Sequence, residues 1–274
     1  MKWSDKIVDY ALKVAVVILL VFWGFVAWRV FVADRFIIPS DSMYPTLQRG
    51  DRIAVNKLLY GARIYKDYDF QDGMELKSFR MKGLRNIRRN DILVFNFPIN
   101  KGRISFKINY VYAKRCIGLP GDTVSIENGF YKVAGCSEPL GFLPAQEALS
   151  ATPLDRMDEY VLKVMQPSDT ASSWTIKDFG PLYIPSEGDT LYLDAAKRHL
   201  YSAILEYEGT RPSDSLHVFT HDYFFMAGDN VMDSKDSRYW GLLPDDYIVG
   251  IVKGILSSRD PYTGKRTFNR TRSL

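Results

Sequence analysis

An uncharged run near the N-terminus constrains this sequence more than any other feature. Residues 14–28 carry no charge, and the wider apolar segment 11–33 has 23 residues. At about 1.5 Å per residue, a helix of that length crosses a hydrocarbon layer of about 30 Å. Lys13 and Arg29 lie near its two ends, where their charged heads can reach the membrane interfaces. We therefore predict one transmembrane signal anchor over 11–33, preceded by a short cytoplasmic segment, 1–10.

Two other interpretations of this segment are less favoured. A buried core helix is disfavoured because Ile, Leu, Val and Phe cover every face. A cleaved signal peptide is disfavoured because no good Ala-x-Ala site follows the apolar run. Lys2, Lys6 and Lys13 precede the segment and Arg29 and Arg35 follow it, which slightly favours an N-terminus inside the cell. We therefore predict a single pass, with the body of the protein on the extracytoplasmic face.

The rest of the chain has the composition of a folded protein with many strands. Overall, 46% of residues are hydrophobic and 25% are charged, which excludes a disordered, fibrous or polytopic membrane protein. β-Branched and aromatic residues concentrate in short segments that Gly, Pro, Asn or Asp often punctuate. We predict a mainly β body with strands over 36–39, 51–59, 91–97, 104–117, 123–133, 190–194, 201–207, 223–226 and 247–256. Helix is predicted over 145–149 and parts of 154–165.

Charge divides the body into zones. Residues 61–90 carry eight basic and four acidic side chains, and residues 253–274 carry six basic and one acidic. Residues 139–221 carry six basic and twelve acidic ones, which suits an inserted lobe held away from the membrane. A basic zone is either plain solvated surface or a contact for anionic lipid headgroups. The net charge of +4 is too small to indicate a nucleic-acid partner, and we expect none.

Few residues suit a metal or a nucleotide cofactor, and we expect neither. His217 and His221 are four apart but lack the glutamate of an HExxH motif. The Walker A, Rossmann, Ser-x-x-Lys and Gly-x-Ser-x-Gly patterns are all absent from the sequence. Cys116 and Cys136 could pair outside the cytosol, and Cys116 is equally suited to be a buried free thiol.

Three short stretches carry residues suited to hydrolysis. In 39–47, two prolines bracket Ser40 and Ser42 on a stiff backbone that suits a nucleophile, although a structural turn is an alternative. In 108–122, strand alternation puts Lys114 on an aromatic and apolar face. Burial there would lower the lysine pKa and yield a general base, unless the lysine points to solvent at a strand edge. The third stretch, 228–244, is a polar loop that either serves a site or buttresses the core.

Taken together, these stretches resemble the sequence boxes of type I signal peptidases, also called leader peptidases. After the anchor come SDSMYPTL, GDRIAVNK, KRCIGLPGD and GDNVMDSKDSRYWG, in that order. The resemblance covers roughly 10–60, 91–125 and 223–255. It implies a catalytic β core, barrel-like and discontinuous, over 34–138 and 222–274. Residues 139–221 resemble the variable inserted subdomain of that family.

The resemblance also implies an activity and its residues. The activity is removal of signal peptides from exported preproteins after small residues, of the Ala-x-Ala type, through an acyl-enzyme. Ser42 matches the nucleophile, Lys114 the general base, and Ser40 with the Ser42 N–H the oxyanion hole. Ser234 matches the serine that orients the lysine. Arg115, Asp229, Asp236 and Arg238 match residues that support the site. The implied partners are preproteins, membrane lipid and, by proximity, the secretion translocon. The implied location is the cytoplasmic (inner) membrane, with the catalytic body on the periplasmic face.

One residue departs from the family's commonest pattern. Asp41 stands where glycine is usual, and a carboxylate facing Lys114 would favour the protonated lysine. Alternation along a strand predicts that Asp41 points away.

Two other functions compete with this one. The first competing function is an inactive, membrane-tethered binding or assembly module, against which the intact Ser42 and Lys114 count. The second is a self-cleaving Ser–Lys hydrolase, against which the anchor and the lack of a DNA-binding domain count.

Overall fold

A computed structural model describes residues 3–67, 69, 71–74, 77–167, 173–260 and 263–274. The first helix, α1 (Trp3–Ala27), continues into a π-helical turn over Trp28–Val32. The segment Lys6–Val32 is long and apolar enough to cross a membrane, and none of its most apolar window is buried against the body. The predicted apolar helix is thus present, and the core-helix interpretation is wrong.

The body is mainly β, as predicted. Its strands are β1 (Ala33–Ile37), β2 (Arg52–Asn56), β3 (Arg63–Tyr65), β4 (Ser78–Arg80), β5 (Ile92–Asn96), β6 (Ile99–Asn100), β7 (Arg103–Ile104), β8 (Val111–Gly118), β9 (Thr123–Glu127), β10 (Phe130–Val133), β11 (Phe179–Tyr183), β12 (Thr190–Tyr192), β13 (Leu216–Val218), β14 (Tyr223–Ala227), β15 (Leu243–Pro244), β16 (Ile248–Arg259), β17 (Arg266–Thr267) and β18 (Arg272–Ser273). The helices after α1 are α2 (Leu143–Ala151), α3 (Glu159–Leu162), α4 (Ala195–Leu200), α5 (Ser202–Tyr207) and α6 (Ser237–Trp240). Single 3₁₀ turns lie at Leu154–Arg156, Val231–Asp233 and Asp245–Tyr247.

One antiparallel sheet organises the body. Its strand order is β1-β2-β16-β5-β8-β14-β15, and β17 and β18 also pair with β16. All five residues of β5 are buried, because the sheet has a core on both faces. Leu93 and Phe95 point into the larger cluster, whereas Ile92 and Val94 point into a smaller one.

The predicted strand over 104–117 is two strands separated by a loop. β7 ends at Ile104 and β8 begins at Val111, and Asn109 between them has a positive φ of 56° that a continuous strand would not allow. The predicted strand over 123–133 is a hairpin of β9 and β10. Its turn is Asn128-Gly129, with φ of 48° and 89°, a pair suited to tight hairpin turns.

The predicted strand over 201–207 is wrong, since this segment forms α5. Tyr201, Ile204 and Leu205 are buried, and their spacing of three and four residues is that of a helix face. The helices predicted at 145–149 and within 154–165 correspond to α2 and to a 3₁₀ turn followed by α3.

Two predictions concern how the body is divided and cross-linked. Strand β11, from the segment 139–221, pairs with β9 of the preceding segment. The division into a core and an inserted subdomain stays a prediction. Both cysteines are free thiols: Cys116 is buried, and burial raises the pKa of its thiol.

Candidate active site

The two serines follow the edge strand β1 on a well-anchored segment. Ile38, Met43 and Leu47 on either side of them are buried in the smaller core cluster. The N–H of Ile38 donates to the carbonyl of Asp51 at 2.8 Å. Ser40 Oγ and Ser42 Oγ are 3.4 Å apart at the surface of this segment. Buried anchors therefore hold the two hydroxyl groups side by side.

Lys114 reaches this segment from β8. It lies opposite Leu93 of β5, and its side chain is only 2% exposed. Its Nζ is 2.5 Å from Ser42 Oγ and 3.0 Å from Ser234 Oγ. Burial lowers the pKa of Lys114 from 10.5 to about 8, although the negative charge of Asp236 opposes this shift. A large fraction of Lys114 is therefore neutral near pH 8 and able to accept a proton.

Ser234 links Lys114 to a buried ion pair. The Ser234 hydroxyl donates to Asp236 Oδ2 at 2.8 Å, and Asp236 is held by Arg238 through two hydrogen bonds of 2.7 and 2.8 Å. Asp236 and Arg238 are fully buried. Burial alone would raise the pKa of Asp236, but the Arg238 guanidinium holds it below its usual value. The carboxylate thus stays ionised and fixes the Ser234 hydroxyl.

A second ion pair braces the neighbouring residue of β8. Arg115 donates to both carboxylate oxygens of Asp229, at 2.7 and 2.6 Å, and to the carbonyl of Asn90 at 2.9 Å. Asp229 is buried. This bidentate pair ties β8 to the loop after β14, the loop that also carries Ser234.

A cleft of about 510 Å³ opens beside the Ser42 hydroxyl. One wall comes from the segment after β1 and the other from the first half of β8. The lining residues include Ile38, Ser40, Ser42, Tyr112 and Lys114, together with Lys235 of the polar loop. The cleft is large enough for several residues of an extended peptide.

Comparison with known proteins identifies the family of this chain. The model of the family described as "Signal peptidase, peptidase S26" matches residues 7–256. The chain belongs to the signal peptidase S26 family. Its relatives include "Signal peptidase I" of Pseudomonas aeruginosa, 30% identical over 234 residues, and "Signal peptidase I" of Helicobacter pylori (strain J99), 28% identical over 236 residues.

The coverage of these relatives is unequal. The Pseudomonas match takes in 81% of this chain but only 64% of that protein, and the Helicobacter match takes in 80% and 73%. A crystal structure of a signal peptidase I from Enterococcus faecalis V583 is 20% identical, with a TM-score of 0.30, and covers 61% of this chain and 96% of that one. The family assignment rests on the family model and the curated relatives alone.

The structure brings all eight predicted site residues of this S26 member into two linked networks. Ser40, Ser42, Lys114, Ser234, Asp236 and Arg238 form a chain of contacts, and Arg115 with Asp229 forms the adjoining pair. Their roles stay predictions.

Two further residues of the polar loop hold the serine segment and escaped the sequence analysis. The N–H of Asn230 donates to the carbonyl of Ser42 at 3.1 Å, and its side-chain amide donates to the carbonyl of Asp41 at 3.2 Å. Gly228 has no room for a side chain, since a Cβ there would lie 2.2 Å from Ser234 Oγ and 2.5 Å from the Ser42 carbonyl oxygen. The signal available in the sequence was the Gly-Asp-Asn triplet itself.

Asp41 has a partner of its own. Its carboxylate accepts the N–H of Arg49 at 2.9 Å and lies 3.9 Å from Arg49 Nε. The charges that act most on the pKa of Lys114 are instead those of Asp236 and Arg238. This arrangement agrees with the expectation that Asp41 points away from the lysine.

His217 and His221, two of the three histidines in the segment 139–221, take separate partners. His217 Nε2 lies 2.6 Å from Glu208 Oε2. His221 lies 3.2 Å from Asp245 and 3.8 Å from Asp246, a group whose ligand atoms are close enough to hold a metal ion. Burial would lower the pKa of His221, but the two carboxylates raise it overall, which favours an imidazolium ion pair at this place. The sequence analysis missed both aspartates.

Proposed function

We propose that this protein is a membrane-anchored serine endopeptidase that removes signal peptides from exported preproteins. The observation that carries the proposal is the 2.5 Å separation of Lys114 Nζ and Ser42 Oγ, at a lysine whose burial lowers its pKa to about 8. A hydroxyl and a neutral amine in contact form a nucleophile and its base. Membership of the signal peptidase S26 family supports the substrate class.

Acylation uses both residues. Ser42 Oγ attacks the scissile carbonyl carbon while its proton passes to Lys114 Nζ. The tetrahedral intermediate collapses as the C–N bond breaks, and Lys114 returns the proton to the departing amine. The product is an ester between Ser42 and the signal peptide. Lys114 then takes a proton from water, which attacks the ester and restores the free hydroxyl.

Ser40 serves as an oxyanion donor in this mechanism. Its hydroxyl lies 3.4 Å from Ser42 Oγ, at the mouth of the cleft, and the Ser42 N–H is the second donor. Donors aimed at the developing negative charge stabilise the intermediate by roughly 3 kcal/mol each in comparable hydrolases.

Ser234 holds the lysine in place. Because its hydroxyl donates to Asp236, the Ser234 oxygen presents a lone pair to Lys114 Nζ at 3.0 Å. That contact holds the Lys114 amine on one side, so that its other side faces the Ser42 hydroxyl. Asp236, Arg238, Arg115 and Asp229 act as support for this arrangement rather than on the substrate.

The substrate binds as an added strand. The pairing of β14 with β8 ends at Arg115, so residues 111–114 pair with β5 on one side and face the cleft on the other. An extended preprotein segment there can bond to the free strand edge. Apolar side chains of the cleft, such as Ile38, Met43 and Ala113, suit small residues at the first and third positions before the cut.

We also propose where the enzyme acts. It is anchored in the inner membrane by α1, with its body on the periplasmic side, close to membrane lipid and to the secretion translocon; the length and apolar character of Lys6–Val32 support the anchor. Anchoring raises the local concentration of substrates that are themselves held in the membrane. The core over 34–138 and 222–274 carries the site, and 139–221 is the inserted subdomain.

Cleavage of a defined preprotein tests the proposal against the inactive-module alternative. The full-length protein is incubated with a preprotein bearing an Ala-x-Ala site and with a matched preprotein carrying Leu in place of the second Ala, and product masses are measured. We expect one cut after the second Ala and at least a tenfold slower reaction with Leu. No cut in either preprotein would support the binding module instead.

A further inference from the structure

Three arginines line a second concavity, and none of the described residues that line it belongs to the catalytic cleft. Its volume is about 240 Å³, and Arg52, Arg259 and Arg266 surround it together with Ile37, Gly50 and Ser257. Gly50, where φ is +89°, lies close to Arg259, since a Cβ at Gly50 would lie 2.9 Å from the Arg259 carbonyl oxygen. One side of the concavity is the end of β1, the edge strand that directly follows the anchor helix, because Ile37 is the last residue of β1.

Strand register brings these arginines together. Arg52 is the cross-strand partner of Ile37 in β1 and of Ser257 in β16, and Arg259 is the partner of Arg266 in β17. Like charges directly opposite each other destabilise a sheet unless an opposite charge compensates them. The positive charge therefore converges on one face of the sheet.

Within the described ranges, none of the three has a carboxylate within 4.0 Å. Arg270, from the same C-terminal segment, contrasts with them because it pairs with Asp51 at 3.0 Å. The segment 253–274 as a whole has six basic residues and one acidic residue. The three arginines thus have no anionic partner within the described part of the protein, and the concavity suits an anion from outside it.

Apolar side chains flank the arginines. Ile37 is 55% exposed and Phe268 is 61% exposed, and the Arg266 guanidinium lies 4.9 Å from the Phe268 ring centre. Arg35, also exposed, shares a face of β1 with Ile37. Ile37 is five residues beyond Val32, the end of the apolar segment, so at most about 17 Å of strand separates them. At this distance from the apolar segment, guanidinium groups can contact lipid headgroups while the exposed apolar side chains beside them contact the acyl chains.

We propose that Arg52, Arg259 and Arg266 bind the phosphate of an anionic phospholipid headgroup. Guanidinium groups suit this ligand because their paired N–H groups match two phosphate oxygens at once. Ile37 and Phe268 contact the upper acyl chain, and the bound lipid seats the sheet on the membrane beside the anchor. The inference rests on the membrane location in the proposed function but not on peptidase activity.

Binding of short-chain lipids tests the site. The full-length protein in an uncharged detergent is titrated with dihexanoyl-phosphatidylglycerol, dihexanoyl-phosphatidylcholine and inorganic phosphate, with calorimetry as the readout. The double variant Arg52→Ala/Arg259→Ala is compared with Arg156→Ala/Arg211→Ala, which removes the same charge from exposed positions of the segment 139–221.

We expect phosphatidylglycerol to bind the wild-type protein most tightly, and added salt to weaken it. We expect the site variant to bind it about thirtyfold more weakly and the control variant to match the wild type. Equal binding by both double variants would overturn the proposal, as would equal binding of the two lipids. Inorganic phosphate binding as tightly as phosphatidylglycerol would assign the site to a free anion and contradict the lipid. A protein that fails to cleave preproteins would contradict the proposed function but not the lipid site, because the titration measures lipid binding without any cleavage.

Discussion

Lys114 Nζ lies 2.5 Å from Ser42 Oγ, although 72 residues separate the two in the chain. Three strands lie between β1 and β8 in the sheet, which in a flat sheet would hold the two strands about 19 Å apart. The contact therefore requires the sheet to curl and the segment after β1 to return towards β8. The polar loop after β14 closes the arrangement, because Asn230 holds the Ser42 carbonyl and Ser234 holds the lysine.

The first prediction concerns pH. Only neutral Lys114 accepts the Ser42 proton, and burial sets its pKa at about 8. We expect kcat/KM for a preprotein to rise tenfold per pH unit below that value and to level off above it. The measurement is a pH profile of single-turnover cleavage. A profile that falls between pH 7 and 9 would be incompatible with a lysine base.

The second prediction separates positioning from structure at Ser234. Ser234→Ala removes the hydroxyl that contacts Lys114 Nζ, so we expect kcat to fall by about tenfold to a hundredfold with little change in KM. Ser234→Thr keeps a hydroxyl group and is expected to recover part of the loss. If Ser234→Ala instead changes KM alone, Ser234 contacts the substrate and does not orient the lysine.

The third prediction concerns the buried pair of Asp236 and Arg238. Asp236→Asn leaves the Arg238 guanidinium buried without its charge partner, so we expect the free energy of unfolding to fall by about 3–5 kcal/mol. Because the pKa of Asp236 is lowered in the folded protein, its contribution is present above the unfolded pKa and is lost as pH falls through the folded one. Urea unfolding at pH 7 measures the change. Asp178→Asn, at an exposed carboxylate, is the control, and equal midpoints for the two variants would refute the prediction.

The fourth prediction concerns Gly228. A methyl group there would overlap Ser234 Oγ and the Ser42 carbonyl oxygen, so Gly228→Ala is expected to reduce kcat/KM at least a hundredfold while the protein still folds. Gly102→Ala is the matched control, because its Cβ would meet no atom of the described residues within 4 Å, and only the positive φ of 83° is strained. Wild-type activity in Gly228→Ala would mean that the loop does not hold the serine segment closely.

The fifth prediction concerns Asp41. Since Arg49 is the partner of the Asp41 carboxylate, Asp41→Gly is expected to leave the midpoint of the pH profile unchanged. A midpoint lowered by one unit would mean that Asp41 stabilises the protonated lysine after all.

Local patterns in the sequence predicted much of this site. The burial of Lys114 followed from strand alternation, because Tyr112 and Cys116 on the same face are aromatic and apolar, respectively. The loop residues Ser234, Asp236 and Arg238 were placed by resemblance to the signal peptidase boxes. Their connection through one hydroxyl could not be read from the sequence, since it depends on how the loop packs against β8.

Each wrong or missed prediction has its own physical cause. The segment 201–207 is aromatic and apolar enough for a strand, but its buried residues face the core at helical spacing, and packing decided its structure. The turns at Asn109 and Asn128 depend on positive φ values, which asparagine adopts more readily than most residues. Asn230 escaped notice because its partners are backbone carbonyls 188 and 189 positions away.

Cleavage by two single variants tests the central claim most directly. The full-length protein, Ser42→Ala and Lys114→Ala are each incubated with the same Ala-x-Ala preprotein, and initial rates are measured by the mass of the released signal peptide. We predict that each variant retains its fold and loses at least a thousandfold in rate, in line with the loss of a nucleophile or its base. A folded Ser42→Ala or Lys114→Ala protein that cuts at the wild-type rate would contradict the assignment of these two residues.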